Sequence, residues 1–260
     1  MRKKFTKTIA FFSLMAIFMI AATSAAHAQG SNYDDSDEKN LVKWNVAALV
    51  LKNFSFQYER AITQKISGAV GIRFSPKSGV PFSSALKNAI DDDETWESIK
   101  DFKTGNFAIT PEVRFYLGKG GFQGFYVAPF IRYANYTAEV PYNFDVEDGA
   151  GNSRTEVIEL DGKVNSFTGG LLFGAQWKIA KRFAIDWWIL GPNYGTSNGN
   201  IAGNKALNQQ EQDALRETLK DLEDLPVVKT KSSVDANGAR VDFDGPWAGF
   251  RAGLSVGFRF

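Results

Sequence analysis

The sequence predicts an all-β chain, an eight-stranded antiparallel transmembrane β-barrel with short periplasmic turns, long extracellular loops and short helices in two of those loops. Three observations carry this prediction. Apolar residues alternate with polar or small ones in about eight segments of roughly 9 to 14 residues, the length a tilted strand needs to cross a bilayer. The connections between the segments alternate short and long. The chain also opens on residues that read as an export signal.

In that opening, Arg2, Lys3, Lys4 and Lys7 precede an apolar run from Ile9 to Ala22, and Ala26-His27-Ala28 precedes Gln29. Basic, apolar and small residues in this order form a secretory signal peptide cleaved after Ala28, and the apolar run is too short for a membrane-spanning helix. The expected organisation is a signal peptide at 1-28, a flexible acidic lead-in at 29-40 and a barrel at 41-260. Cleavage removes four basic residues and no acidic one from 30 Lys+Arg and 29 Asp+Glu. The mature chain is then mildly acidic and lacks a basic stripe, which argues against nucleic acid as a partner. All three methionines and the one histidine, His27, lie in the signal segment, and the sequence has no cysteine. Disulfides, thiol chemistry, zinc-finger sites and histidine acid–base catalysis are thereby excluded from the mature chain, and no cofactor is expected.

The first segment presents Val42, Trp44, Val46, Ala48 and Val50 on one face. Phe54, Phe56 and Tyr58 form that face of the second, and Ile66, Val70, Ile72 and Phe74 that of the third. The fourth carries Phe107, Ile109, Val113, Phe115 and Leu117; the fifth, Phe125, Val127, Ile131 and Tyr133. The sixth carries Phe167, Leu171, Phe173, Ala175 and Trp177, the seventh Phe183, Ile185, Trp187 and Ile189. The last runs from Phe250 to Phe260. Short connections at 63–65, 119–124 and 180–181 alternate with long ones at 76–104, 137–163 and 195–245, after a first hairpin at 51–53. An even strand count with this alternation puts both termini in the periplasm and the long loops outside. Tyr58, Phe115, Phe125, Trp177, Phe183 and Phe260 should form one aromatic girdle, and Phe74, Phe107, Tyr133, Phe167 and Trp247 the other.

A soluble lipocalin-like barrel is the alternative fold, but it would need apolar residues inside and charges outside. Here the small residues Gly253, Ser255 and Gly257 oppose Leu254, Val256 and Phe258, as suits a narrow lumen facing away from lipid. The chain ends on alternating apolar residues and a carboxy-terminal phenylalanine: Phe250, Leu254, Val256, Phe258 and Phe260. This resembles the terminal assembly signal of bacterial outer-membrane barrels. The whole chain is similar to the small barrels typified by OmpX and OmpW, although its second and fourth outer loops are longer than those of OmpX. The resemblance implies an outer-membrane location and, as partners, outer-membrane lipid and the barrel assembly machinery.

On the inward parity lie Asn45, Gln57, Glu59, Arg73, Glu112, Arg114, Arg132, Gln176, Asp186, Arg251 and Arg259. Eight strands enclose a space that side chains can fill, and buried charges persist when paired. The expectation is a salt-bridged network of Glu59, Arg73, Glu112, Arg114, Arg132, Asp186 and Arg251. A carboxylate pair such as Glu59 with Glu112 would have its acidity strengthened by arginine neighbours. Known outer-membrane hydrolases, acyltransferases and proteases resemble one another in using a histidine, so the chain reads as non-enzymatic.

Helical periodicity occurs in two loops, at Leu86, Ile90, Ile99 and Phe102, and at Leu215, Leu219, Leu222 and Leu225. The second has Asn208 as a cap, Glu211 at the capping-box position and Pro226 beyond its end. A leucine stripe of this kind packs on its own protein or holds a partner, here an unidentified extracellular one. The run Asp91 to Glu94 lacks the spacing and the glycine of an EF-hand loop and reads as a solvated helix face. Pro111 and Pro129 fall mid-strand, where proline is disfavoured. They imply bulges or a candidate lateral seam through which an apolar molecule passes between lumen and bilayer. The functional expectation is a monomeric barrel acting through its outer loops in surface interaction or envelope integrity. The alternative is a carrier or conduit for a small apolar molecule with lateral access to the bilayer.

Overall fold

The wall closes on itself because its first strand has a partner on either side. The computed structural model describes residues 38–79, 100–118, 122–147, 153–220 and 229–260, together with Lys87 and Trp96. The expected signal peptide, most of the expected lead-in, Leu86, Ile90, Asp91 to Glu94, Ile99, Leu222, Leu225 and Pro226 lie outside these residues. In chain order the elements are β1 (Asn40–Asn45), α1 (Val46–Leu49), β2 (Phe54–Ala61), β3 (Ile66–Gly79), β4 (Lys103–Tyr116), β5 (Gly124–Glu147), β6 (Ser153–Lys178), β7 (Phe183–Asn204), α2 (Gln209–Lys220), β8 (Lys229–Asp235) and β9 (Gly238–Arg259). The sheet order is β1-β2-β3-β4-β5-β6-β7-β9, and β9 returns to β1. This is a ring of eight antiparallel strands, with β8 hairpinned onto the far end of β9. Asn40 N donates to Phe260 O at 3.1 Å and Phe260 N to Asn40 O at 3.0 Å, so both chain ends of the ring meet on the side of the short turns.

Alternation sorts the residues by face. Phe56, Tyr58, Val70, Ile72, Phe115, Ile131, Leu171, Phe183 and Phe258 are all exposed on the outside, while Ser55, Gln57, Glu59, Glu112, Arg114 and Asp186 are buried inside. A barrel in water would lose free energy on both faces by this arrangement, since apolar area stays wet and charges lose their hydration. The same distribution is stable where the outside meets lipid. The soluble alternative is therefore set aside. No helix among the described residues is long and apolar enough to cross a membrane.

The strands differ from expectation in two ways. Those flanking the long connections run far past the apolar belt, so β5 and β6 stay paired to Glu147↔Ser153 and β7 and β9 to Asn204↔Gly238. Much of 137–163 and 195–245 is thus ladder rather than loop. The cause is apolar residues that continue on the inward parity. Phe144, Val146, Ile158, Ala239 and Val241 form a second small core with Leu207 and with Leu215 and Leu219 of α2. The leucine stripe accordingly packs on its own chain. The capping box forms, with Glu211 N donating to Asn208 Oδ1 at 3.0 Å and Asn208 N to Glu211 Oε2 at 2.9 Å. The first strand, in contrast, is shorter than expected. It stops at Asn45, whose Oδ1 accepts from Ala48 N at 3.1 Å and caps α1. Val46, Ala48 and Val50 leave the strand, because an asparagine cap followed by alanines and leucine favours a helical turn.

In the expected outer girdle, Phe74 pairs with Phe107 and Tyr133 with Phe167. Beyond it the outward residues turn polar, with Tyr133 Oη and Asn135 Nδ2 both donating to Asn165 Oδ1 at 3.0 and 2.9 Å. Trp247 does not join that girdle. It shares the parity of Arg251, lines the lumen cavity and lies tilted against Tyr136 at 5.2 Å between ring centroids.

The prolines act on one seam without a bulge. Between β4 and β5 the register is the same at Ile109↔Tyr133 and Phe115↔Val127, yet the pairs containing Pro111 and Pro129 are missing from that ladder. Their other seams, Val70↔Pro111 and Pro129↔Leu171, are intact. Register shifts fall elsewhere, between Ser75 and Ser78, at Phe173/Gly174 and between Trp188 and Gly191.

Candidate functional site: an ion-paired plug beneath a vestibule

Inward-facing residues of β1, β2, β4, β6, β7 and β9 converge on the barrel axis. Lys43 of β1 donates from Nζ to Glu59 Oε2 at 2.5 Å, to Asp186 Oδ2 at 2.7 Å and to Gln176 Oε1 at 3.1 Å. Arg114 lies beside it. Its Nη1 reaches Asp186 Oδ2 at 2.7 Å and Glu59 at 3.3 Å, its Nε reaches Glu112 Oε1 at 2.7 Å, and its Nη2 donates to Gln57 Oε1 at 2.8 Å. Arg251 closes the top through Nη1 to Glu112 Oε2 at 2.9 Å. Three cations thus face three carboxylates, and the Lys43, Glu59, Glu112, Arg114 and Asp186 side chains have no solvent exposure.

Aromatic residues complete the plug by donating what the carboxylates still accept. Asp186 also receives Tyr126 Oη at 2.8 Å and Trp188 Nε1 at 3.0 Å, and Glu59 receives Tyr116 Oη at 2.6 Å and the Ser67 hydroxyl. The Arg114 guanidinium sits 4.3 Å over the Tyr126 ring, and Arg251 lies between Phe130 at 4.5 Å and Trp188 at 4.8 Å. Buried ions are tolerated when every charge is paired and hydrogen-bonded in this way. Glu59 and Glu112 are held apart by Arg114 and share no proton. Each carboxylate is saturated by donors, so none is placed to act as an acid or base.

Of the expected network, Glu59, Glu112, Arg114, Asp186 and Arg251 come together. Arg73 and Arg132 do not. They stand higher in the lumen, where Arg73 Nε donates to Asn106 Oδ1 at 3.0 Å and Arg132 Nη1 to Thr110 Oγ1 at 3.2 Å. These two arginines form no ion pair among the described residues. Lys43 was absent from the expected network although it shares the parity of Asn45. The inward aromatics Tyr116, Tyr126, Phe130 and Trp188 were missed too, because they alternate with outward residues that are equally apolar. Above Arg251 and Trp188 the lumen is not filled. It opens into a cavity of about 530 Å³ with Arg73, Arg132, Tyr136, Thr168 and Trp247 on its wall.

Among the described residues no cluster of three or more acidic or histidine side chains is arranged to hold a metal. The terminal residues Phe250, Leu254, Val256, Phe258 and Phe260 all lie on the outward parity of β9 or at its end.

A family model described as a protein of unknown function, DUF3575, matches residues 13–194. No curated protein sequence matches the chain. Among solved structures, the fold is similar to a major outer membrane protein from Thermus thermophilus, at 11% identity and a TM-score of 0.39, covering 86% of this chain and 98% of that one. It is also similar to the Escherichia coli outer membrane protease OmpT, at 6% identity and a TM-score of 0.36, covering 86% and 93%. The β domain of the Bordetella autotransporter BrkA follows at 9% identity and a TM-score of 0.22, covering 86% and 98%. These neighbours are outer-membrane β-barrel proteins, and all are too distant to transfer a residue role.

Proposed function

We propose, from the premise that the chain belongs to the DUF3575 family of proteins of unknown function, that it is a sealed, non-catalytic barrel of the bacterial outer membrane. It acts at its outward end, through the vestibule and the strand extensions that carry α2, in surface interaction or envelope integrity. Export by the signal peptide at 1-28, insertion by the assembly machinery and a monomeric state belong to this reading.

The observation that carries it is the plug. Lys43, Glu59, Glu112, Arg114 and Asp186 cross the lumen with no solvent exposure and hold one another at 2.5 to 3.3 Å. Ions cannot traverse such a section without breaking several pairs at once, each costly in a low dielectric. The apolar outer belt supports the membrane location, and the saturation of every plug carboxylate supports the absence of acid–base catalysis.

Planar-bilayer recording on the refolded mature chain tests this reading. The expected result is a membrane that stays silent in the presence of inserted protein. Stable, salt-dependent conductance steps from the unmodified barrel would overturn it.

A further inference from the structure

Two arginines outside the plug, and one of the two buried hydroxyls that lack a partner among the described residues, face the same cavity. Among the described residues Arg73 and Arg132 have only neutral partners, Asn106, Thr110 and the Tyr136 hydroxyl, and Arg132 is repelled by both Arg73 and Arg251. Thr168, 1% exposed, has an Oγ1 with no hydrogen-bond partner among the described residues. Arg73 is half-buried and Arg132 buried, and like charges placed so, with an orphaned buried hydroxyl, each cost free energy until an acceptor arrives. A group with several acceptor oxygens and a negative charge meets all three needs, and arginine is well suited to hold it.

The wall beside this cavity is also incomplete. On its β1 side β9 pairs with β8 over Gly238 to Asp244 and with β1 over Ser255 to Arg259. Among the described residues, 245–254 therefore have no strand along that edge, because β1 stops at Asn45 and α1 packs there instead. Phe250 and Ala252 have the outward parity, yet they line the cavity together with Ala47, Ala48 and Leu51 from α1 and the turn after it. Phe250 is 77% exposed, the most of any large apolar residue described. It pairs with Pro192, one outward position below Tyr194. Higher in the gap, Pro246 pairs with Thr196, the partner of Phe167, so the gap reaches the rung of the outer aromatic girdle. This is a far longer interruption than the proline seam between β4 and β5, where the register is kept on both sides.

We propose that the vestibule binds an amphiphile with an oxyanion head and a single alkyl chain, the head held by Arg73, Arg132 and Thr168, and the chain leaving between α1 and β9 into the outer leaflet. The inference rests on the reading that the apolar belt lies in a membrane. Head and chain are recognised by different parts of the site, which makes them separable.

Binding is measured on the full mature barrel in zwitterionic nanodiscs, with empty nanodiscs as the partition control. The fluorescence of Trp188 and Trp247, both on the cavity wall, is the readout. The probes are laurate, its methyl ester and inorganic phosphate. Laurate should bind at least roughly tenfold more tightly than either other probe, the size of effect expected for losing one charged hydrogen-bonded contact. The double variant Arg73→Gln with Arg132→Gln should lower laurate affinity by about tenfold or more and leave the ester unchanged. Ala252→Phe, at the gap, should weaken laurate and leave phosphate alone. Gly249→Leu leaves every charge in place while filling the cavity, since a Cβ there meets Asn193 no closer than 3.5 Å. It should also displace laurate, and so serves as the second variant if the double one misfolds. Equal binding of laurate and ester, equal binding of laurate and phosphate, or unchanged laurate binding in both the arginine and Gly249 variants would overturn the proposal. Conductance on the same samples separates the two readings. A silent barrel that ignores laurate sinks only this inference, and a conducting barrel that binds it sinks only the sealed reading.

Discussion

Lys43 and Asp186, 143 residues apart in the chain, meet at 2.7 Å on the barrel axis with neither side chain exposed to solvent. The contact joins the first strand to the seventh across the lumen rather than along the wall. It makes the plug a brace between strands that share no ladder. Removing one partner leaves the other charge buried, which costs far more than the pair itself contributes.

Lys43→Met should therefore destabilise the barrel by about 3 to 5 kcal/mol, because Glu59 and Asp186 both lose their ammonium donor. Urea unfolding of the detergent-folded protein, followed by the mobility shift on unheated gels, measures it. A loss under about 1 kcal/mol would mean that Arg114 alone neutralises the cluster.

Pro111 and Pro129 remove donors from one seam while the register holds. Pro111→Val should restore a backbone hydrogen bond and stabilise the barrel by about 1 kcal/mol, with slower amide exchange at Ile131. Destabilisation by this change would mean that the proline ring itself packs better than an added bond compensates.

Acid should loosen the strand extensions before the wall. The Lys205 ammonium donates to Glu156 Oε2 at 2.6 Å, and this contact holds the Glu156 carboxyl below its ordinary value of 4.5. A depressed folded value means the contribution is present above about pH 4.5 and is lost as pH falls through the folded value. Carboxyl titration by NMR should place Glu156 below 4.5, and amide exchange around Lys205 should quicken on acidification below it. An exchange profile that is flat with pH at this position would contradict the assignment.

Deleting Phe260 removes the two backbone bonds it shares with Asn40. Folding in detergent should survive with a modest loss of stability, whereas assembly in cells should fall severalfold if the terminal strand is read as the resemblance implies. Equal loss in both settings would count against recognition. Yield in outer-membrane fractions against refolding yield is the comparison.

The wall was legible in the sequence because strand alternation is local. Phe54, Phe56 and Tyr58 against Ser55, Gln57 and Glu59 declare their faces whatever the partner strand is. The cap at Asn208 and Glu211 was equally local, with its spacing set by one helical turn. Arg73 and Arg132 show where such reading ends. Their parity put them in the lumen, but whether a carboxylate stands at the same height depends on the stagger of every intervening strand.

What the sequence by itself determined is the all-β pattern, the inward and outward parity of each strand and the side on which the short turns lie. Those follow from period and turn length within single segments. The tertiary structure alone decided that Lys43 completes the plug, that β1 yields to α1 and leaves a stretch of β9 with no strand partner on that side among the described residues, and that the strands climb past the belt to meet α2. Each of these depends on which residues closure of the ring brings to one height, and a stretch of chain carries no record of that until its neighbours are in register.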